Sequence, residues 1–249
     1  MAHQSYIEPH VIIADYDSTG HLTIWSSTQA PFHVRHEVAR TLGLPETHIK
    51  VMATEVGGGF GGKIYLYEAL VAALAMCVRR PVKLFMSRKE DMLAATPAPQ
   101  AVVQLKMGMK ADGTLSALQA RVVFDAGAFP GAPVLPGCLL IGGYYRCPNL
   151  DIQGLEVFTN KVSVGALRAP GAHNVTFALE SAMDMLARRL ELDPLEVRLK
   201  NAVGKGDPLP SGQPYPAIGL RECLQAIAES DLWRRRNQIK AHPHRGVGL

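Results

Sequence analysis

Val11–Tyr16 and His21–Ser26 are short apolar runs rich in β-branched residues, and Asp17-Ser18-Thr19-Gly20 joins them with glycine where a turn needs positive φ. The pair predicts a β-hairpin. Ser27-Thr28-Gln29-Ala30-Pro31 then opens a helix: Pro31 suits a first turn, and Phe32, Val34, Val38, Ala39 and Leu42 supply its apolar face. Gly43 and Pro45 end it. Ile49–Val56 reads as a strand, and Tyr65–Val78, rich in alanine and leucine, as a buried helix. After the break at Arg80-Pro81, Val82–Met86 predicts another strand. Ala101–Met109 and Thr114–Phe124 alternate apolar and polar side chains around Lys110-Ala111-Asp112-Gly113, which predicts a second hairpin.

Residues 125–149 are rich in glycine and proline yet apolar, the pattern of a loop wrapped into the interior or onto a ligand. Leu150–Thr159 returns to strand character, and His173–Leu190 reads as a helix. Asp193-Pro194 starts a short helix through Asn201, with aspartate as N-cap and proline at the first helical position. A loop rich in proline and glycine over 204–219 marks a possible internal boundary. Leu220–Lys240 reads as a last helix, and the apolar ending at Val247 and Leu249 as the start of a strand. Hairpins mixed with intervening helices make the fold class α+β rather than a doubly wound parallel sheet.

Composition changes this picture little. With 47% hydrophobic and 19% charged residues over 249 positions, the chain can bury a substantial core. The net charge of +4 is thinly spread, and Arg234-Arg235-Arg236 is a solvated helix end, which argues against a nucleic-acid partner. No apolar run reaches the roughly 18 residues of a membrane span. The start of the chain lacks the basic and apolar regions of a signal peptide. Cys77, Cys138, Cys147 and Cys223 form no CxxC pair, which suits a reducing, cytoplasmic setting and gives no ligand spacing for a metal.

Chemistry concentrates in two loops. Gly57-Gly58-Gly59-Phe60-Gly61-Gly62-Lys63 places five glycines around one aromatic, between a predicted strand and a predicted helix. Backbone free of Cβ atoms can turn its N–H groups toward one point, and a following helix N-terminus would favour an anion there. Three readings stand: a tight turn that binds nothing, a nucleotide P-loop, or a cofactor-holding loop. The P-loop spacing is present, but Ile64 stands where a magnesium-binding Ser or Thr belongs. The second loop, Gly165-Ala166-Leu167-Arg168-Ala169-Pro170-Gly171, sets one arginine among small residues that let backbone pass close to a ligand.

These loops belong to a longer series. His3-Gln4, Tyr6-Ile7-Glu8-Pro9, Ser27-Thr28-Gln29, Val56–Lys63, Arg79–Lys83 with Arg88, Glu90 and Asp91, Ala166–Gly171, Glu180, Asp184, Ala187, and Asp193-Pro194 with Glu196, Arg198 and Asn201 follow in order. In that order and spacing the chain resembles the large molybdenum-cofactor subunit of the family of xanthine oxidase, aldehyde oxidase and carbon monoxide dehydrogenase. The resemblance implies that residues 1–249 are the N-terminal part of a cofactor-binding region. It puts Gln29 against an oxygen on molybdenum. Backbone at Gly58, Gly59, Phe60 and Gly61 falls against the metal's ligands and the pterin, and Ala166, Leu167 and Arg168 where a second loop closes on the cofactor.

The chemistry implied is hydroxylation of aldehydes or N-heterocycles with oxygen from water. The cofactor would be molybdenum-molybdopterin, with the cytosine dinucleotide as its form. 2Fe-2S and FAD groups would sit on partner subunits. No side chain of the chain is needed as a metal ligand. The family's catalytic glutamate has no match here, so the catalytic residue is unknown, and the rest of the large subunit becomes an expected partner without which the chain is inactive. A homodimer through apolar edges is a further expectation. Xanthine-specific members carry glutamate at the position of Ile64 and an aromatic at that of Pro170, which favours other substrates. The alternatives are a P-loop-like nucleotide-binding module and a non-catalytic remnant that serves assembly.

Overall fold

The computed structural model describes residues 2–249, which form two compact units. The first comprises residues 2–100, Asp125–Ala132 and Val157–Pro170; the second comprises Ala101–Phe124, Pro133–Glu156 and Gly171–Leu249.

The first unit is built on a four-stranded sheet of order β3-β2-β1-β4. Strands β1 (Val11–Tyr16) and β2 (Leu22–Ser26) form the expected hairpin, with Ile12 opposite Ser26 and Tyr16 opposite Leu22. The Asp17 carboxylate fixes the turn by accepting from the N–H groups of Thr19 and His21 at 2.8 and 3.0 Å. Helix α1 (Pro31–Leu42) then carries the chain over to β3 (Ile49–Ala53), parallel to β2, and β4 (Val82–Phe85) pairs antiparallel with β1. Ile12 and Ala14 of β1 and Leu22 and Ile24 of β2 face α1 and α2 (Glu68–Val78), where Val34, Val38, Val71, Ala72 and Ala75 complete the core.

Three details of this unit differ from the sequence reading. Strand β3 stops at Ala53, and α2 starts at Glu68 instead of Tyr65. The hydroxyl of Thr28 donates to the carbonyls of Lys63 and Ile64, and the Glu68 carboxylate accepts from the Leu66 N–H. Groups that an earlier helical turn would need are thereby taken. Helix α3 (Arg88–Ala94) was not anticipated, although Ser87-Arg88-Lys89-Glu90 is a capping box, with Ser87 and Glu90 bonding reciprocally.

The second unit holds a three-stranded sheet of order β5-β6-β7 and six helices among the described residues. Strands β5 (Ala101–Met109) and β6 (Leu115–Gly127) form the second hairpin, with Ala101 opposite Phe124; β7 is Leu150–Phe158. Helix α5 (Ala172–Arg189) buries Val175, Leu179, Met183 and Ala187 at four-residue spacing. The stretch read as irregular contains α4 (Val134–Ile141), whose Pro136 is tolerated because first-turn N–H groups need no partner within the helix. Asp193 caps α6 (Pro194–Asn201). The expected last helix is three, α7 (Leu220–Glu229), α8 (Asp231–Arg234) and α9 (Arg236–Lys240); the first break comes where the Ser230 hydroxyl accepts from the Trp233 N–H and so caps α8. The residues after them form no strand.

Candidate functional site

The site lies within the first unit, at the end of β2, in the glycine loop after β3 and in the arginine loop. Ser26, Ser27 and Thr28 are buried as the chain leaves β2, and Gln29 emerges at the surface. Its backbone N–H donates to the Lys63 carbonyl at 2.7 Å, while its side-chain Oε1 accepts from the N–H groups of Gly61 and Lys63 at 2.9 and 3.3 Å. Two donors on that oxygen fix the amide orientation, so Nε2 is left as the outward donor.

The loop itself has positive φ at Gly58, Phe60 and Gly61, with Phe60 at 51°. A non-glycine residue in that region is unfavourable by about 1 kcal/mol or more. Such backbone brings successive N–H groups together. Gly57, Gly61, Gly62 and Lys63 spend their N–H groups on Glu8, Gln29, the Gly59 carbonyl and Gln29 again. Among the described residues, the N–H groups of Gly58, Gly59 and Phe60 have no acceptor.

The arginine loop meets the glycine loop directly. A Cβ on Gly61 would lie 2.4 Å from the Ala166 carbonyl oxygen, so only glycine allows the two backbones to touch there. Gln4, buried, donates through Nε2 to the carbonyls of Ala166 and Thr96, each at 2.8 Å. At the other end Asp125 accepts from Gly127 N–H and the Thr159 hydroxyl and pairs with Lys161. The Lys161 ammonium, with those two donors, holds the Asp125 carboxyl down at about 2.

Gln29, Gly58, Gly59, Phe60, Gly61 and Arg168 wall one open cleft of about 490 Å³, together with Val56. Arg168 is exposed and has no ion-pair partner among the described residues. Ala166 supports the cleft from behind through its contact with Gly61, and Leu167 is half-buried outside its walls. Among the described residues no carboxylate lines it. Clefts of similar size on the β5–β6–β7 face also offer donors, among them Lys106 and Gln119, but Asp151 places a carboxylate in the wall of each.

Several residues beneath the loop were given no pairing by sequence reasoning, which read Lys63 only as the lysine of a possible P-loop. Lys63 is buried, and its ammonium lies 2.5 Å from the Glu8 carboxylate. Burial pulls the Glu8 carboxyl upward, but the Lys63 ammonium and the Gly57 N–H outweigh it and hold it below the usual range. Fully buried Asp91 accepts from the Tyr6 hydroxyl at 3.0 Å, lies 2.6 Å from His10 and pairs with Arg88. Burial and then the Asp91 charge raise the Tyr6 hydroxyl above its ordinary value, and burial lowers His3. The available signal was the Gln4, Tyr6, Glu8 and Asp91 series, whose pairing only tertiary structure reveals. Among the described residues no cluster of three or more His, Cys, Asp or Glu is placed to hold a metal ion, and no helix is long and apolar enough to cross a membrane.

Residues 1–202 match the molybdopterin cofactor-binding domain family. The chain belongs to that family. Within it, the chain is 33% identical over 229 residues to the nicotinate dehydrogenase large molybdopterin subunit of Eubacterium barkeri, covering 90% of this chain and 54% of that subunit. It is 34% identical over 256 residues to the xanthine dehydrogenase molybdenum-binding subunit of Escherichia coli O157:H7, covering 98% and 34% respectively. Among solved structures, aldehyde oxidoreductase from Desulfovibrio gigas superposes with a TM-score of 0.90 at 30% identity, over 97% of this chain and 27% of that one. This molybdopterin-binding chain thus spans from about a quarter to about half the length of these relatives.

Proposed function

We propose that the cleft holds the molybdenum–pterin cofactor of an oxidoreductase that hydroxylates aldehydes or N-heterocycles with oxygen drawn from water. The observation that carries this reading is the donor set. Three N–H groups without an acceptor, the Gln29 amide and the unpaired Arg168 guanidinium belong to residues that line one cleft, and among the described residues no carboxylate lines it. Such a set accommodates an anionic group with several acceptor oxygens, which a molybdenum–pterin with its phosphate is. When bound, the cofactor supplies the redox chemistry that no side chain here provides. The chain's own residues bind and orient it: Gln29 donates a hydrogen bond, backbone from Gly58 to Phe60 offers N–H groups, and Arg168 neutralises charge.

Relatives named for nicotinate, xanthine and aldehyde support N-heterocycles and aldehydes as the substrate class. The full reading makes residues 1–249 part of the cofactor-binding region of a longer large subunit. It includes the cytosine dinucleotide form of the pterin, 2Fe-2S and FAD on partner subunits that carry electrons away, and a cytoplasmic setting. A nucleotide P-loop is disfavoured. Lys63, which would have to meet a phosphate, is buried against Glu8, and α2 begins only at Glu68.

The test is molybdenum and pterin content after co-production with the rest of the large subunit. The expected result is near-stoichiometric metal, reduced about tenfold or more in Arg168→Ala, since a charge-assisted hydrogen bond contributes about 1.5–3 kcal/mol. Folded, assembled protein carrying no molybdenum overturns the reading.

A further inference from the structure

We propose that Glu8 and Lys63 form a clamp that positions the glycine loop, with Lys63 acting on the loop from behind and never touching the ligand. The proposal rests on the cofactor reading for what the loop holds, but the clamp itself is independent of it. Both ends of the loop converge on one side chain. Glu8 Oε2 accepts from the Gly57 N–H at 2.9 Å and from the Lys63 ammonium at 2.5 Å, and the Glu8 N–H donates to the Gly57 carbonyl at 3.1 Å. The approach is so close that a Cβ on Gly57 would lie 2.5 Å from the Cβ of Glu8. The Lys63 side chain is fully buried, and its ammonium also sits 4.9 Å from the centre of the Tyr6 ring.

What lies between the two anchored ends is the functional part. Gly58, Gly59 and Phe60 carry the unsatisfied N–H groups, and Phe60 is held at positive φ. Phe60 as a residue is 47% exposed, so packing of the side chain does not enforce that conformation. Unfavourable backbone persists only where its surroundings over-determine it. Here the determinants are the fixed ends: Glu8 on residues 57 and 63, and Gln29 on residues 61 and 63. A lysine that a sequence motif would assign to phosphate is therefore a structural counter-ion, and the ligand is met by backbone.

The experiment compares hydrogen–deuterium exchange of the hydrogen-bonded amides of the loop, those of residues 57, 61, 62 and 63, in the full chain without cofactor, for wild type, Lys63→Met, Glu8→Gln and Lys63→Arg. Lys63→Met keeps the apolar stem, and Glu8→Gln keeps an acceptor for Gly57. The expected result is exchange about tenfold or more faster in the loop for Lys63→Met, corresponding to about 1.4 kcal/mol, with β1 and β2 unchanged. Lys63→Arg should recover most of the protection. Unchanged loop exchange in folded Lys63→Met overturns the clamp. So does a global loss of protection in both Lys63→Met and Glu8→Gln, because the pair would then belong to the core and not to the loop. Pterin content is measured on the same variants after co-production with the rest of the subunit. A wild type that carries none sinks the cofactor reading, while the exchange comparison still decides the clamp. A loosened Lys63→Met loop that retains pterin at the wild-type level overturns the positioning role.

Discussion

Gln29 has two jobs that one amide can do together. Its oxygen ties the end of β2 to the glycine loop, and its nitrogen is left free to donate, on a residue that lines the cleft. Glutamate would keep the first job and lose the second, because a carboxylate accepts from Gly61 and Lys63 but cannot donate. It would also bring negative charge to a site arranged for an anion. Gln29→Glu should therefore leave the thermal midpoint within about 3 °C of wild type, since surface changes usually alter stability by about 0.5 kcal/mol or less. Molybdenum content, measured on co-produced protein, should fall at least about tenfold, the result of losing a charge-assisted bond of about 1.5–3 kcal/mol.

Loops in this molecule are placed by their neighbours' side chains more than by their own sequence. The segment leading to Arg168 is pinned where Asp125 holds Gly127, Thr159 and Lys161, and where Val164 and Gly165 donate to the carbonyls of Ala126 and Pro97. Asp125 titrates near 2 in the fold, depressed first by the Lys161 ammonium. A carboxylate with a lowered folded value contributes stability that is fully present above its unfolded value of about 3.9 and is lost as pH falls through about 2. Asp125→Asn should accordingly be less stable than wild type in denaturant titrations at pH 7, and the difference should shrink between about pH 4 and 2. Glu8 follows the same sign, its contribution being lost only below the ordinary glutamate range. A difference that grew on acidification would remove this account of the loop.

Each of the two units has its own interior, one around Ile12, Leu22, Val34 and Ala72, the other including Leu195, Leu224 and Trp233 around the last helices. All of the cleft belongs to the first. Its walls offer donors and a cation but no general base, since among the described residues no Asp, Glu or His lines them. Proton abstraction would need such a group within hydrogen-bond reach. The purified chain alone should therefore show no dye-coupled oxidation of an aldehyde or N-heterocycle, even when reconstituted with cofactor, and turnover should appear only with the rest of the large subunit. Activity of the isolated chain would contradict the reading.

Local sequence alone determined the β1–β2 hairpin, α1, the β5–β6 hairpin, α5 and α6, because their turns, caps and apolar spacing are contained in a few adjacent residues. It also singled out the two candidate loops, by five glycines around Phe60 and a lone arginine among small residues. The start of α2 and the end of β3 were illegible, because Thr28 holds the carbonyls of Lys63 and Ile64 from elsewhere in the chain and because β2, the partner of β3, ends at Ser26. Helices α3 and α4 were legible in part, through the capping box at Ser87 and a proline placed where a first turn tolerates it. Only tertiary structure decided that Lys63 points inward to Glu8, that Gly61 meets Ala166, and that Gln29 and Arg168 share a cleft with Phe60. Those contacts join residues far apart in sequence, and their energies come from burial, charge pairing and close backbone approach, which no local pattern encodes.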